Sequence, residues 1–218
     1  MSAQPMLERH ARMQVALALI VRRARLSIVH WETRIARDAL RALYREVHGE
    51  PAPSGQLPTA GGAAITTRHG QLCASVFVLF YQHLQRACSG AGGLDRRSRS
   101  IAAMIQAHDL AQLLLGPKNS LEMTLCWMLA RDLRMGSARL RPCPQCQIRY
   151  LVTEQGRFDQ GCPLCARYRS VGLSRLKVGL MGGAFGEDAP SMVSRVVRSP
   201  LGGTTGANHA HESDRSKR

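Results

Sequence analysis

Two short stretches, Cys143-Pro144-Gln145-Cys146 and Cys162-Pro163-Leu164-Cys165, decide how the C-terminal part of this chain folds. Each Cys-x-x-Cys pair presents two sulfurs from one tight turn, and residues 147–161 form a loop long enough to bring the pairs together. The four sulfurs can then meet in a tetrahedron, which is the arrangement of a structural zinc site. A proline follows the first cysteine of each pair. Because proline fixes φ and donates no backbone N–H, it favours a knuckle over the interior of a helix or strand.

Disulfides, a redox pair and an iron–sulfur cluster are the alternatives for these four thiols. The N-terminus reads as an amphipathic segment interrupted by charge, not as a signal peptide, so we expect a cytoplasmic chain with reduced thiols. A redox site needs one pair in a βαβ setting, which two facing pairs do not match. Four thiolates can also hold iron, so an iron–sulfur cluster remains an alternative. The sequence predicts one structural Zn2+, closed to water by its four cysteine ligands and therefore not catalytic.

The chain is strongly basic: its 218 residues carry a formal net charge of +15, with a pI near 10.7. Lysine occurs only at positions 118, 177 and 217, so nearly all of the 30 basic residues are arginine. The planar guanidinium pairs well with phosphates and guanine edges. This charge indicates a polyanionic partner, most simply nucleic acid, with an acidic protein or a membrane surface as the alternatives.

Other functional classes lack support in the sequence. No run approaches the roughly 18 uncharged apolar residues of a membrane helix, so we expect no membrane insertion. The chain contains no Gly-x-x-x-x-Gly-Lys phosphate loop, no His-Glu-x-x-His and no Gly-x-Ser-x-Gly. We therefore expect a protein that is not an enzyme.

Hydrophobic periodicity predicts a helical domain over residues 1–136. We expect this domain to bind a partner and to contribute to DNA binding. The first predicted helix, residues 7–29, has an apolar face formed by Met13, Leu17, Val21, Ala24 and Ile28. Residues 30–33 interrupt the pattern, and Thr33 is the expected N-cap of a second helix at 34–48. A loop over 49–70 follows, then helices at 71–88, 94–115 and 121–135. Trp127 and the other cysteines, Cys73, Cys88 and Cys126, are expected in the core, without a function of their own.

The second helix carries a basic stripe. Its arginines recur at helical spacing and are predicted to line one face: Arg34, Arg37, Arg41 and Arg45. Two helices joined by a short turn, with arginines along the second, suggest a helix-turn-helix. A solvated basic face explains the same pattern. We expect this helix to reach base edges of DNA.

The cysteines lie in a predicted zinc-ribbon-like module over residues 137–170. Residues 147–152 are expected to form a strand, with the return strand beginning at Arg157-Phe158. Arginines surround the module and are expected to hold DNA phosphates: Arg139, Arg141, Arg149, Arg167 and Arg169. Beyond it, residues 171–218 lose periodicity and read as a mostly disordered basic tail.

The chain resembles the FlhC family of flagellar transcriptional activator subunits. The resemblance begins in Glu32-Thr33-Arg34-Ile35-Ala36-Arg37-Asp38-Ala39-Leu40-Arg41-Ala42-Leu43-Tyr44-Arg45-Glu46-Val47. It continues in Gly49-Glu50-Pro51-Ala52-Pro53-Ser54-Gly55-Gln56-Leu57-Pro58 and covers about residues 7–168. It departs at residues 59–64, where small residues replace the expected aromatics, and at 95–110.

The resemblance implies a cytoplasmic bacterial regulator that assembles with FlhD into a hetero-oligomer. Such a complex binds double-stranded DNA upstream of flagellar promoters and recruits RNA polymerase, and the four cysteines of this family bind zinc. Two other functions also fit the basic charge and the cysteines. One is an RNA-binding zinc-ribbon protein of the translation machinery, and the other is a protein–protein adaptor whose affinity would depend little on salt.

Overall fold

The computed structural model describes residues 6–87, 96–117, 119–158 and 161–170. The described part is mainly helical, with one small antiparallel sheet and the four cysteines in its C-terminal region, so the predicted fold class is confirmed. The predicted tail, 171–218, lies outside it. The elements in chain order are α1 Met6–Val21, α2 Leu26–Thr33, α3 Arg37–His48, α4 Gly61–Ala64, α5 Arg68–Ala87, α6 Arg96–Leu115, α7 Met123–Met135, β1 Ala138–Pro142, β2 Arg149–Thr153 and α8 Pro163–Ser170.

The single helix predicted over residues 7–29 is wrong, because the chain turns between α1 and α2. Arg23 has φ +57, a left-handed conformation that ends a helix. The predicted interruption at residues 30–33 instead lies inside α2, and the N-cap of α3 is Ala36, not Thr33. Thr33 Oγ1 donates to the carbonyl of Val29 at 2.7 Å and accepts from the backbone N–H of Ile35 at 3.4 Å. The sequence does not reveal the turn between α1 and α2, because the buried residues Ala24 and Ile28 continue the apolar periodicity across it.

The apolar face predicted for the first helix is partly on the outside of the molecule. Helix α1 buries Ala16, Leu19 and Ile20 against α2 and α3. The neighbouring apolar residues are exposed, and we call them the α1 stripe: Met13 (42 %), Leu17 (42 %) and Val21 (53 %). Two neighbouring sides of α1 are thus apolar, and the sequence pattern alone does not tell which of them is buried in the core.

The core is centred on α5, which packs against α6, α7, β2 and α8. Phe77 and Tyr81 stack along it, with their ring centroids 5.8 Å apart. Cys73 and Cys126 are buried as expected, and Cys88 is not among the residues described. Burial raises the pKa of both buried thiols, which suits inert core residues. No helix of the described ranges is both long and apolar enough to cross a membrane.

Trp127 of α7 is in the core, as expected, and it also makes a polar contact. Its Nε1 donates to Oε1 of Glu32 at 2.6 Å, and the other oxygen of Glu32 accepts from Arg97 Nε at 2.9 Å. The Glu32 side chain is only 5 % exposed. This carboxylate therefore links α2 to both α6 and α7.

The loop predicted over residues 49–70 contains the short helix α4, where small residues are required. The backbone N–H of Gly61 donates to Asp132 Oδ2 at 2.7 Å. A Cβ on Gly62 would lie 2.2 Å from Thr153 Oγ1, closer than any real contact. Aromatic residues in this part of the chain would not fit so close an approach to β2.

The ribbon has a different strand partner from the predicted one. Strand β2 pairs antiparallel with β1, with Leu140 opposite Leu151, and not with a return strand at residues 157–158. The sequence contained the signal, because Ala138 and Leu140 alternate with Arg139 and Arg141 as in a strand with one buried face.

The ribbon separates two apolar clusters. Leu140 and Leu151 face the main helical core, whereas Tyr150 and Val152 pack with the cysteines on the other face. One face of the ribbon therefore belongs to the core of the helices and the other to the cysteine cluster. The predicted domain boundary at residue 136 stays a prediction.

Candidate metal centre and basic surfaces

Four cysteines come together at the end of the ribbon. The Sγ atoms of Cys143, Cys146, Cys162 and Cys165 all lie within 4.8 Å of one another. The Sγ distances Cys143–Cys165 and Cys146–Cys162 are both 3.7 Å. A tetrahedral ion with Zn–S bonds of about 2.3 Å places its sulfurs about 3.8 Å apart. The donor set thus fits one metal ion.

The first cysteine pair occupies the loop between β1 and β2. Two backbone bonds close this loop, from Cys143 N to Ile148 O at 3.0 Å and from Gln147 N to Cys143 O at 2.8 Å. The left-handed conformation of Gln147, φ +60, allows the chain to turn back. The N–H of Gln145 points at Cys143 Sγ, 3.4 Å away. This is the predicted knuckle.

The second cysteine pair lies at the N-terminal end of a helix, which the sequence did not predict. Cys162 precedes α8, Pro163 is the first residue of α8 and Cys165 lies in its first turn. Proline suits this position because a first-turn N–H has no partner inside the helix. The partial positive charge of a helix N-terminus favours thiolates, so α8 supports both ligands.

The four thiols influence one another's ionisation. Burial opposes the charged form of Cys143, but backbone N–H groups of Cys146 and Gln145 outweigh it and lower the pKa of Cys143 to about 7. Burial, together with the sulfurs of Cys146 and Cys143, raises the pKa of Cys165 to about 12. Four adjacent thiolates repel, and a divalent cation removes that repulsion.

Polar side chains on α5 fasten the ribbon and the metal centre to the helices. Gln71 Nε2 donates to the carbonyls of Leu151 at 3.2 Å and Phe158 at 2.8 Å. Ser75 Oγ accepts from Leu151 N at 2.9 Å. These two buried residues satisfy the free edge of β2. Polar residues four apart on a largely apolar helix are the signal in the sequence for this contact.

The predicted arginine stripe is only partly on one helix. Arg37, Arg41 and Arg45 are exposed on α3, whereas Arg34 lies before it. Arg34 ends α2 in a left-handed conformation, φ +60, and its guanidinium stacks over Trp31 at 4.8 Å. Residues 34–36 are the whole connection between α2 and α3, a length typical of a helix-turn-helix. Helix α1 packs on both.

A further arginine completes a basic groove beside α3. Arg25 lies with Arg37, Arg41 and Arg45 around a groove of about 310 Å3, whose opposite wall is residues 51–55. We call this the arginine groove. The prediction of one helix over residues 7–29 does not place Arg25 beside the α3 arginines, because the chain turns just before this residue.

The predicted arginines of the module surround the metal centre. Arg139 and Arg141 are exposed on β1, opposite Val152 and Tyr150. Arg149 is exposed at the start of β2, and Arg167 and Arg169 are exposed on α8. Arg169 Nη2 donates to Gln145 Oε1 at 3.1 Å, which joins the second cysteine pair to the first.

The fold and the site define a mainly helical protein with a small ribbon whose four cysteines can hold a metal ion. The chain belongs to the FlhC family, because residues 1–176 match the family described as flagellar transcriptional activator (FlhC). This confirms the resemblance found in the sequence. The family is one of transcriptional regulators, which is not an enzyme class.

Several characterised relatives are similar to this chain. The flagellar transcriptional regulator FlhC of Gallionella capsiferriformans is 27% identical over 184 residues, covering 84% of this chain and 98% of that protein. The protein of the same name from Cupriavidus metallidurans is 31% identical over 156 residues, covering 70% of each chain. That of Yersinia enterocolitica is 30% identical over 159 residues, covering 69% of this chain and 76% of the relative.

Proposed function

We propose that this chain is the zinc-containing, DNA-binding subunit of a cytoplasmic activator, which assembles with an FlhD-type protein, binds flagellar promoters and recruits RNA polymerase. The observation that carries the proposal is membership of the FlhC family over residues 1–176. The exposed arginines and the four-cysteine centre supply the chemistry that this role needs.

Zinc is the metal that suits this centre best. Sulfur separations of 3.7 Å match a single tetrahedral ion, whereas an iron–sulfur cluster places inorganic sulfide between the thiolates and needs more room. When bound, the ion would cross-link the β1–β2 loop to the start of α8. Its role is structural, because four protein ligands leave no open position for water.

DNA binding is supported by two basic regions. Arg34 and the α3 arginines belong to a helix pair with the spacing of a helix-turn-helix. The five module arginines stand on elements that the metal holds in place, so they lose little freedom on binding DNA. We propose that both regions contact the duplex.

The α1 stripe supports assembly with a partner. Met13, Leu17 and Val21 are about half exposed on consecutive turns, and an apolar face of this kind is stable when another protein covers it. We propose that the FlhD-type subunit does so.

Replacing Leu17 by aspartate should weaken this assembly without unfolding the chain, because the side chain is 42 % exposed. Covering the exposed part of this leucine contributes about 1 kcal/mol, and burying an unpaired carboxylate in its place costs more. We therefore expect at least a tenfold loss of affinity for the FlhD-type protein. The matched control is Ala11→Asp, an exposed position about a third of a turn around α1 from Leu17 and outside the α1 stripe. Co-purification and sedimentation measure the outcome, and equal binding by wild type and Leu17→Asp would exclude the α1 stripe as the interface.

The proposed function is tested with the co-expressed complex of this chain and an FlhD-type protein. Titrations compare a flagellar promoter fragment, a random duplex and an RNA of equal length at several salt concentrations. We expect the promoter to bind at least about 1,000-fold more tightly than the random duplex at physiological salt. Tighter binding to RNA than to either duplex would contradict the proposal and favour the translation machinery. Binding independent of salt would favour the adaptor.

A further inference from the structure

The arginine groove concentrates positive charge in a concave surface. Four guanidinium groups line it, and no carboxylate stands among the described residues that form its walls. Asp38 pairs with Arg41 at 2.6 Å, but its side chain is 92 % exposed, so solvent screens that pair. Arg37 and Arg45 are exposed. Like charges held this close attract an anion strongly.

The wall opposite α3 is shaped around Arg25. Its Nη1 donates to the carbonyl of Gly55 at 2.9 Å. Gly55 has φ +117, which strains any other residue, and a Cβ there would lie only 3.3 Å from that same Nη1. Pro51 and Pro53 stiffen the segment. The groove is therefore preformed in the free protein.

The spacing of the arginines indicates an extended ligand. Arg37, Arg41 and Arg45 are four residues apart, which places successive guanidinium groups at about 6 Å intervals along α3. Each guanidinium can donate two parallel hydrogen bonds to a phosphate. A row of phosphates matches this arrangement better than a single anion.

We propose that the arginine groove is a phosphate-binding site that holds consecutive phosphates of one sugar–phosphate backbone of the DNA. That these phosphates belong to DNA rests on the proposed function, whereas the binding of phosphate by the groove does not. The four groove arginines, including Arg37, then contact phosphates, so one DNA strand positions α3 in addition to any contacts with base edges. Phosphate contacts fix register and add affinity without reading sequence.

The first experiment measures phosphate binding directly, with sodium tripolyphosphate titrated calorimetrically into the complex of this chain with its FlhD-type partner. We expect Arg25→Gln and Arg45→Gln each to weaken binding about tenfold. Gly55→Ala should weaken it as well, because it displaces Arg25. The matched control is Arg86→Gln, which removes one exposed arginine at the end of α5, away from the groove, and should bind as wild type does. Thermal melts of every variant confirm folding.

The second experiment identifies the source through the salt dependence of DNA binding. If the groove holds the DNA backbone, Arg25→Gln and Arg45→Gln each lower the slope of log K against log salt by about 0.9, equally for promoter and random duplex. If tripolyphosphate binding falls but the slope does not, the phosphate site stands and its ligand is a free polyphosphate, which overturns the DNA assignment. If groove variants and Arg86→Gln behave alike in both experiments, the site itself is overturned. Should the wild-type complex bind no promoter, the proposed function fails while tripolyphosphate still decides the groove.

Discussion

Replacing Cys146 by serine is expected to release the metal and unfold the ribbon and α8. A structural zinc site contributes on the order of 10–16 kcal/mol to the folding of its surroundings, and three remaining thiols hold the ion far less well. Cys146 Sγ lies 3.7 Å from Cys162 Sγ, so its loss opens the cluster between the two pairs. Because Tyr150 and Val152 pack on the cysteines, β2 loses one of its two apolar supports.

The measurement combines zinc content by elemental analysis with limited proteolysis. We expect one zinc per wild-type chain, little in Cys146→Ser, and new cleavage within residues 138–170 of the variant. The matched control is Cys126→Ala, a buried thiol of α7 outside the cluster, which should keep its zinc and lose only packing energy. Wild-type protein that contains neither zinc nor iron would refute the metal centre.

Replacing Glu32 by alanine is expected to destabilise the helical body by about 2–3 kcal/mol. The change removes the acceptor of the Trp127 Nε1–H bond and the partner of Arg97 at once. Trp127 is 9 % exposed, so its N–H would be left without a partner away from water. The matched variant Glu32→Gln keeps one acceptor oxygen for Trp127, but it loses the charge, and its NH2 group cannot accept from Arg97. We therefore expect it to cost about half as much.

Urea unfolding of wild type and both variants measures this difference as a shift in midpoint at constant slope. The order wild type, Glu32→Gln, Glu32→Ala is expected. Equal midpoints for all three would mean that Glu32 does not join α2 to α6 and α7.

The metal centre could be predicted because its information is local. The spacing of Cys143, Cys146, Cys162 and Cys165 fixes the donor set without knowledge of the rest of the fold. The long helices α5, α6 and α7 could be predicted for a related reason, since apolar residues recur at helical spacing along each of them.

The remaining features depend on contacts between distant residues. The break at Arg23 leaves the apolar period intact, so only the packing of α1 on α2 and α3 reveals it. Gln71 and Ser75 acquire their role only once β2 lies beside α5. Arg25 joins the α3 arginines only because residues 51–55 return to α2. Periodicity cannot encode such pairings, because each involves a second segment.

The role proposed for this chain is that of the zinc-containing subunit of an activator that acts at flagellar promoters. Single-round transcription in vitro tests it most directly, with purified RNA polymerase, a flagellar promoter and a control promoter. We predict that the complex of this chain with its FlhD-type partner raises the flagellar transcript and leaves the control unchanged. The complex carrying Cys146→Ser should fail to do so. Equal transcript with and without the wild-type complex would contradict the account.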